Sequence, residues 1–104
     1  MNKFLKTLCL FAIVIKVMDI SAYTPWENHG HRNTASGAIA TEGITCAMNG
    51  VPFGTKVIFK GHEYTVQDRL APHFSHRIDI FMEDYSRAIQ FGVKRNEEVQ
   101  VILQ

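Results

Sequence analysis

The chain has 104 residues and a formal net charge of +1, with Lys, Arg, Asp and Glu interspersed along it. That length limits it to one domain, and the even charge distribution supplies no basic face of the kind a phosphate backbone requires, which argues against nucleic acid as a partner. No internal repeat, charge run or low-complexity stretch interrupts it.

Lys3 and Lys6 precede the apolar run Thr7-Leu8-Cys9-Leu10-Phe11-Ala12-Ile13-Val14-Ile15, which Lys16 ends and which is too short to span a bilayer. This is the anatomy of an export leader with a cut expected after Ala22, although Asp19 and Ile20 are unusual so close to a cleavage point. The alternative is an uncleaved anchor or a core helix. The expected division is a signal peptide over residues 1–22 and a folded domain over 23–104, exported to the periplasm, cell wall or extracellular space, with no stable membrane span after cleavage. Loss of Cys9 leaves Cys46 alone, so there is no disulfide framework, and its Thr45-Cys46-Ala47 context reads as a small buried hydrophobe rather than a nucleophile. A domain of roughly eighty residues buries little more than about 60% of its unfolded surface, which favours a closed architecture.

Ser21 to Thr24 reads as extended, Pro25 to Arg32 as a polar, His-rich loop, and Thr34-Ala35-Ser36-Gly37 as a turn. Thr45 to Met48 is a short strand, and Asn49 to Thr55 carries two turn signals. The β-branched and aromatic runs Lys56–Lys60 and Glu63–Gln67 predict a hairpin around Gly61-His62, with Gly at the first central position. After the loop Leu70–His76, the strand Arg77–Phe81 alternates so that Ile78, Ile80 and Met82 share one face and Arg77, Asp79 and Phe81 the other. Asp84 caps a short helix containing Tyr85, Ala88 and Ile89, and Gly92 sits at the position of a left-handed C-terminal cap. Glu98 to Leu103 forms the last strand, with Val99, Val101 and Leu103 on one face. The expected fold class is mainly β: a small six-stranded barrel with one short helix near the C-terminus.

Asp68 and Asp79 stand out because each interrupts an apolar, strand-like run, Tyr64-Thr65-Val66-Gln67-Asp68 and Arg77-Ile78-Asp79-Ile80-Phe81. A carboxylate so placed loses hydration and must be paired, hydrogen-bonded or kept for chemistry. Asp79 either pairs with Arg77 or Arg69 to tie strands together, which lowers its pKa, or remains unpaired and shifts upward as a proton donor. Asp68, at a strand end, either caps backbone N–H groups or assists Asp79.

Taken in order, Thr34-Ala35-Ser36-Gly37, Pro52-Phe53-Gly54-Thr55-Lys56-Val57, Tyr64-Thr65-Val66-Gln67-Asp68, Arg77-Ile78-Asp79-Ile80-Phe81 and Ala88-Ile89-Gln90-Phe91-Gly92 carry a family pattern. From Ser21 to Leu103 the chain resembles the three-aspartate (3D) domain proteins of bacteria and phages, and more broadly the double-psi β-barrels of rare lipoprotein A and membrane-bound lytic transglycosylase A. The resemblance implies a double-psi barrel and a lytic transglycosylase that cleaves peptidoglycan between N-acetylmuramic acid and N-acetylglucosamine, leaving a 1,6-anhydro end. It assigns the acid/base role to Asp79 and a supporting role to Asp68. Peptidoglycan glycan strands are the implied partner, and the reaction needs no cofactor and no metal.

The chain also departs from that pattern. The family's first aspartate falls near Asn49, Met48 stands where rare lipoprotein A proteins carry a histidine, and a glycine-rich loop is replaced by Leu70-Ala71-Pro72-His73-Phe74-Ser75-His76. Thr34, Ser36, Asn49, His73 and His76 are the candidate substrate-binding residues, although hydroxyl residues in a turn commonly make local backbone bonds. The spacings His29-Gly30-His31 and His73-Phe74-Ser75-His76 lack the Cys or acidic partners of a zinc site. Tyr23 and Trp26 offer faces for stacking on a sugar ring. The alternative functions are a non-catalytic peptidoglycan-binding barrel and a phage or secreted scaffold.

Overall fold

The computed structural model describes residues 12–103. In chain order the elements are β1 (Ala12–Tyr23), a 3-10 turn (Pro25–Asn28), β2 (Thr45–Met48), β3 (Lys56–Phe59), β4 (His62–Asp68), β5 (Arg77–Phe81), α1 (Tyr85–Phe91) and β6 (Lys94–Leu103). The strands close into a barrel in the order β1-β5-β2-β4-β3-β6. The pairs β1–β5 and β2–β4 are parallel, and the other neighbours are antiparallel. Closure removes the exposed edges that a small sheet otherwise presents. Mainly β, six-stranded and closed, with one short helix near the C-terminus, the architecture agrees with the sequence expectation.

Alternation along each strand supplies the core. Ile20, Cys46, Val57, Val66, Ile78, Val99 and Val101 are at most 1% exposed and converge in the barrel interior. Burying an aliphatic side chain of this size contributes about 1.5–3 kcal/mol, so each strand brings its own share of the stability. Cys46 packs as a hydrophobe, and burial pushes its thiol up to about 12. Asp84 caps α1 by accepting from the Ser86 and Arg87 N–H groups at 2.8 and 3.4 Å; Gly92 ends the helix at φ 64° and ψ −147°, a positive-φ conformation outside the left-handed helical region expected of it.

Two local features differ from the sequence reading. The β3–β4 turn is centred on Lys60-Gly61, both at positive φ (48° and 77°), with Phe59 opposite His62. The hairpin is therefore of the type that needs two left-handed residues, one position earlier than Gly61-His62. The last strand begins at Lys94, four positions before the expected Glu98, because β6 continues along β1 as far as Ile20.

Residues 1–11 of the expected leader lie outside the described residues. Residues 12–22 form all of β1 except Tyr23, and Met18 and Ile20 are 3% and 0% exposed in the core. A cut after Ala22 would remove eleven of the twelve residues of β1. Among the described residues, no helix is long and apolar enough to cross a membrane.

Candidate functional site

Strand register sets the site. Ser21 of β1 is opposite Asp79 of β5, Asp79 is opposite Ala47 of β2, and Ala47 is opposite Asp68 of β4. Residues opposite one another across a ladder share a face, so these four form a row across the barrel wall. The row lies on the side away from Ile20, Ile78 and Cys46, which fill the interior. The small Ala47 leaves no tall side chain between the two carboxylates.

Asp68 reaches the row through an irregularity. Cys46 pairs with Val66, yet the next residue, Ala47, pairs with Asp68, so Gln67 is an extra residue on β4. A bulge of this kind re-aims the side chain that follows it. In regular pairing Gln67 would face Ala47. Instead its side-chain Oε1 accepts a hydrogen bond from the Thr45 hydroxyl at 2.7 Å.

Asp79 is half-buried, and its Oδ1 accepts a hydrogen bond from the Ser21 hydroxyl. Burial pushes its carboxyl above its ordinary value; the Ser21 bond and the charge of Arg77 oppose this, and the like charge of Asp68 adds a smaller upward push. The ion pairs of the described residues lie elsewhere, at Arg32–Glu83, Arg87–Glu42, Arg87–Asp84 and Arg95–Asp19. Arg69 donates to the Met48 carbonyl at 2.8 Å and stacks over Phe53, while Arg77 lies over Phe74. Neither arginine takes up the strand-tying pairing with Asp79.

Asp68 is fully engaged as an acceptor. The Tyr23 hydroxyl donates to its Oδ2 at 3.1 Å, and the backbone N–H groups of Ala35 and Arg69 donate to its Oδ1 at 3.0 and 2.9 Å. The Arg69 bond is the strand-end capping expected of this position, and the other two fasten β1 and the 33–39 loop to β4. Burial, followed by the charge of Asp68 and the bond to it, pushes the Tyr23 phenol upward. Tyr23 therefore keeps its proton and remains the donor.

The remaining candidates fall into three places. Thr34 and Ser36 lie in the loop that carries Ala35 onto Asp68; the Thr34 hydroxyl donates to the Ala38 carbonyl at 2.6 Å and lies 3.0 Å from the Ser36 hydroxyl. Asn49 fastens the 70–76 loop, donating to the Ala71 and Phe74 carbonyls at 2.9 and 3.2 Å and accepting from the Leu70 N–H at 3.1 Å. His73 and His76 line a groove of about 260 Å³ with Phe74 and Arg77. Arg77 is paired with Asp19, two residues along β5 from Asp79.

A second groove, of about 240 Å³, opens on the other side of the carboxylate row, where Tyr23 pairs with Phe81. Tyr23, Thr24, Asp68 and Phe81 line it, together with side chains of the 27–33 loop. Asp79 itself lines neither groove; it lies on β5 between Arg77, which lines the first, and Phe81, which lines the second. Sequence reasoning missed Ser21 because its segment resembled a leader. The alternation of Met18 and Ile20 with Asp19 and Ser21, a strand pattern inside that segment, was the available signal. Comparison with protein-family models, curated proteins and solved structures finds no match to this chain.

Proposed function

We propose that the chain is an exported murein lytic transglycosylase of the three-aspartate, double-psi barrel type, with Asp79 as its single acid/base and Asp68 in support. The observation that carries this reading is Asp79 itself: half-buried, free of any ion pair among the described residues, pushed toward its protonated form by burial, and placed on β5 between Arg77 and Phe81, which line the two grooves. A carboxyl group whose protonated form is favoured by burial is a better proton donor than an exposed one.

In the proposed reaction, Asp79 protonates the oxygen between N-acetylmuramic acid and N-acetylglucosamine, and the bond from that oxygen to C1 breaks. The resulting carboxylate then takes the proton of the muramic acid C6 hydroxyl as that oxygen closes onto C1, which forms the 1,6-anhydro product and restores the acid. No water is consumed, so the second carboxylate that ordinary glycosidases use as base or nucleophile is not required. The Ser21 hydroxyl stabilises the anionic form that Asp79 passes through between the two transfers. Asp68 holds Tyr23 and the 33–39 loop beside the row.

The test is incubation of the chain with purified peptidoglycan, with mass-spectrometric detection of 1,6-anhydro-muropeptides, beside Asp79→Asn and Asp68→Asn. Anhydro products are expected from the wild type and not from Asp79→Asn. Undiminished products from Asp79→Asn would overturn the assignment of the acid. A second reading, a barrel that binds peptidoglycan without cutting it, draws on the Ser21 bond and the Arg77 charge, which both hold Asp79 toward its charged form. Co-sedimentation with sacculi without products would select it.

A further inference from the structure

We infer that residues 12–18 of β1 form an edge through which two copies of this chain pair, antiparallel, about a two-fold axis at Ile15. The inference does not depend on the peptidoglycan reading.

Barrel closure leaves this one length of strand behind. β5 takes one edge of β1 from Asp19 to Tyr23, and β6 runs along the other edge from Ala12 to Ile20. From Ala12 to Met18, therefore, the edge that β5 takes further along has no partner strand among the described residues. The N–H and C=O groups along such an edge are a template for one more strand. An apolar row accompanies this open backbone: Ile13, Ile15 and Val17 alternate along it and are 56%, 53% and 56% exposed.

Self-complementarity selects a second copy as the occupant. Ile15 is the midpoint of the open length. In an antiparallel pair centred there, Ile15 faces Ile15 of the second copy, Ile13 faces its Val17, and Lys16 faces its Val14. Residues opposite one another share a face and pack, so Ile13, Ile15 and Val17 of both copies form one continuous apolar row. Charge and length fix this register. Lys16 is the only charged residue from Ala12 to Met18, and an axis at Lys16 sets two ammonium groups directly opposite each other, which destabilises the pair. That axis also runs Ile13 into Asp19, where β5 already holds the edge. An axis at Val14 leaves Val17 without a partner in the open length. A two-fold contact of this kind uses the same edge of both copies and so closes at two. It is short, at the small, transient end of the range of specific interfaces.

The experiment is sedimentation equilibrium of the full chain from micromolar to millimolar concentration, beside Ile15→Lys and Val17→Lys. Both positions are more than half exposed, so both variants are expected to keep the barrel, which a dispersed amide spectrum checks. The wild type is expected to dimerise as concentration rises. Ile15→Lys, which removes two packed isoleucines and places like charges on the axis, is expected to weaken the dimer by about tenfold or more; Val17→Lys gives the same test should Ile15→Lys fail to fold. Ile39→Lys, at an exposed apolar residue on the 33–39 loop, is expected to leave it unchanged. In a mixed sample, nuclear Overhauser contacts between Ile13 of a labelled copy and Val17 of an unlabelled one are expected from the register. A wild type that stays monomeric, a dimer that survives Ile15→Lys, or one lost equally in Ile39→Lys would overturn the inference. A monomer that binds phosphatidylcholine–phosphatidylglycerol vesicles through Ile15 would assign the face to a membrane instead. A monomer whose 12–18 amides all resist exchange would assign the edge to another segment of the same chain. Both of these outcomes also remove the dimer.

Discussion

Ser21 and Asp79 face each other across the parallel β1–β5 pair, and the serine hydroxyl donates to the aspartate Oδ1. The bond favours the charged form of Asp79, in opposition to burial. Ser21→Ala removes that restraint, so the Asp79 carboxyl is expected to titrate at still higher pH. A carbon-detected NMR titration of the carboxyl reads this directly, and the alkaline limb of any cleavage profile, where the acid loses its proton, is expected to move the same way. A hydrogen bond to a charged group contributes about 1.5–3 kcal/mol, so loss of activity without the upward shift would mean that Ser21 acts only through packing.

Asp79→Asn is expected to stabilise the fold at neutral pH while abolishing cleavage. The sign follows from the upward shift: the folded state binds the Asp79 proton more tightly than the unfolded state. The stability gained from this group is therefore fully present below the unfolded pKa and is lost as pH rises through the folded one. The asparagine has no charge to desolvate, so its advantage over the wild type appears above that window and vanishes below it. Thermal melts of both proteins from pH 3 to 8 measure the difference, and a lower melting temperature for Asp79→Asn at pH 7 would refute the assignment of burial as the dominant influence.

Ile20→Ala is expected to cost about 2–5 kcal/mol, the range for truncating a fully buried aliphatic side chain, because Ile20 is 0% exposed at the centre of the core. A chain begun at Tyr23 lacks Met18, Ile20 and Ser21 together and is expected to show no cooperative melt and no dispersed amide spectrum. N-terminal sequencing of the protein recovered from its native source supplies the companion test. A folded, active product beginning at Tyr23 would show that β1 is dispensable.

Lys60→Asn is expected to stabilise the hairpin by roughly 0.5 kcal/mol, because asparagine adopts the left-handed conformation that Lys60 holds at φ 48° more readily than lysine does. Gly61→Ala is expected to destabilise it by more than that. Chemical denaturation midpoints at constant slope check both.

Asn49→Ala is expected to free the 70–76 loop, since three hydrogen bonds to that loop converge on its side chain. At a net value of about 0.5–1.5 kcal/mol for each bond, loss of the set is measurable in the melt. Faster amide exchange at Leu70 and Phe74 would locate the effect, whereas unchanged exchange would assign Asn49 a different task.

The barrel was legible because alternation in Arg77–Phe81 and Val99–Leu103, the Asp84 cap and the Gly92 stop are local signals, each confined to a few neighbouring residues. The carboxylate row was half legible. Asp68 and Asp79 announced themselves as charges in apolar runs, but their alignment depends on an extra residue at Gln67 and on two parallel pairings, which join segments far apart in the chain and leave no periodic mark. Ser21 was hidden for a different reason: Ile13, Ile15 and Val17 are more than half exposed on β1, and that excess of apolar residues is what makes a strand read as a leader.

β1 is paired with both β5 and β6, from Tyr23 opposite Phe81 at one end to Ala12 opposite Leu103 at the other. The first strand therefore finds neither neighbour until the chain has been made through Phe81. Until then Ser21 has no aspartate to hold, and Asp79 sits in a solvated chain with an ordinary carboxylate's acidity. Whatever chemistry the wall performs is silent throughout synthesis and begins only with closure.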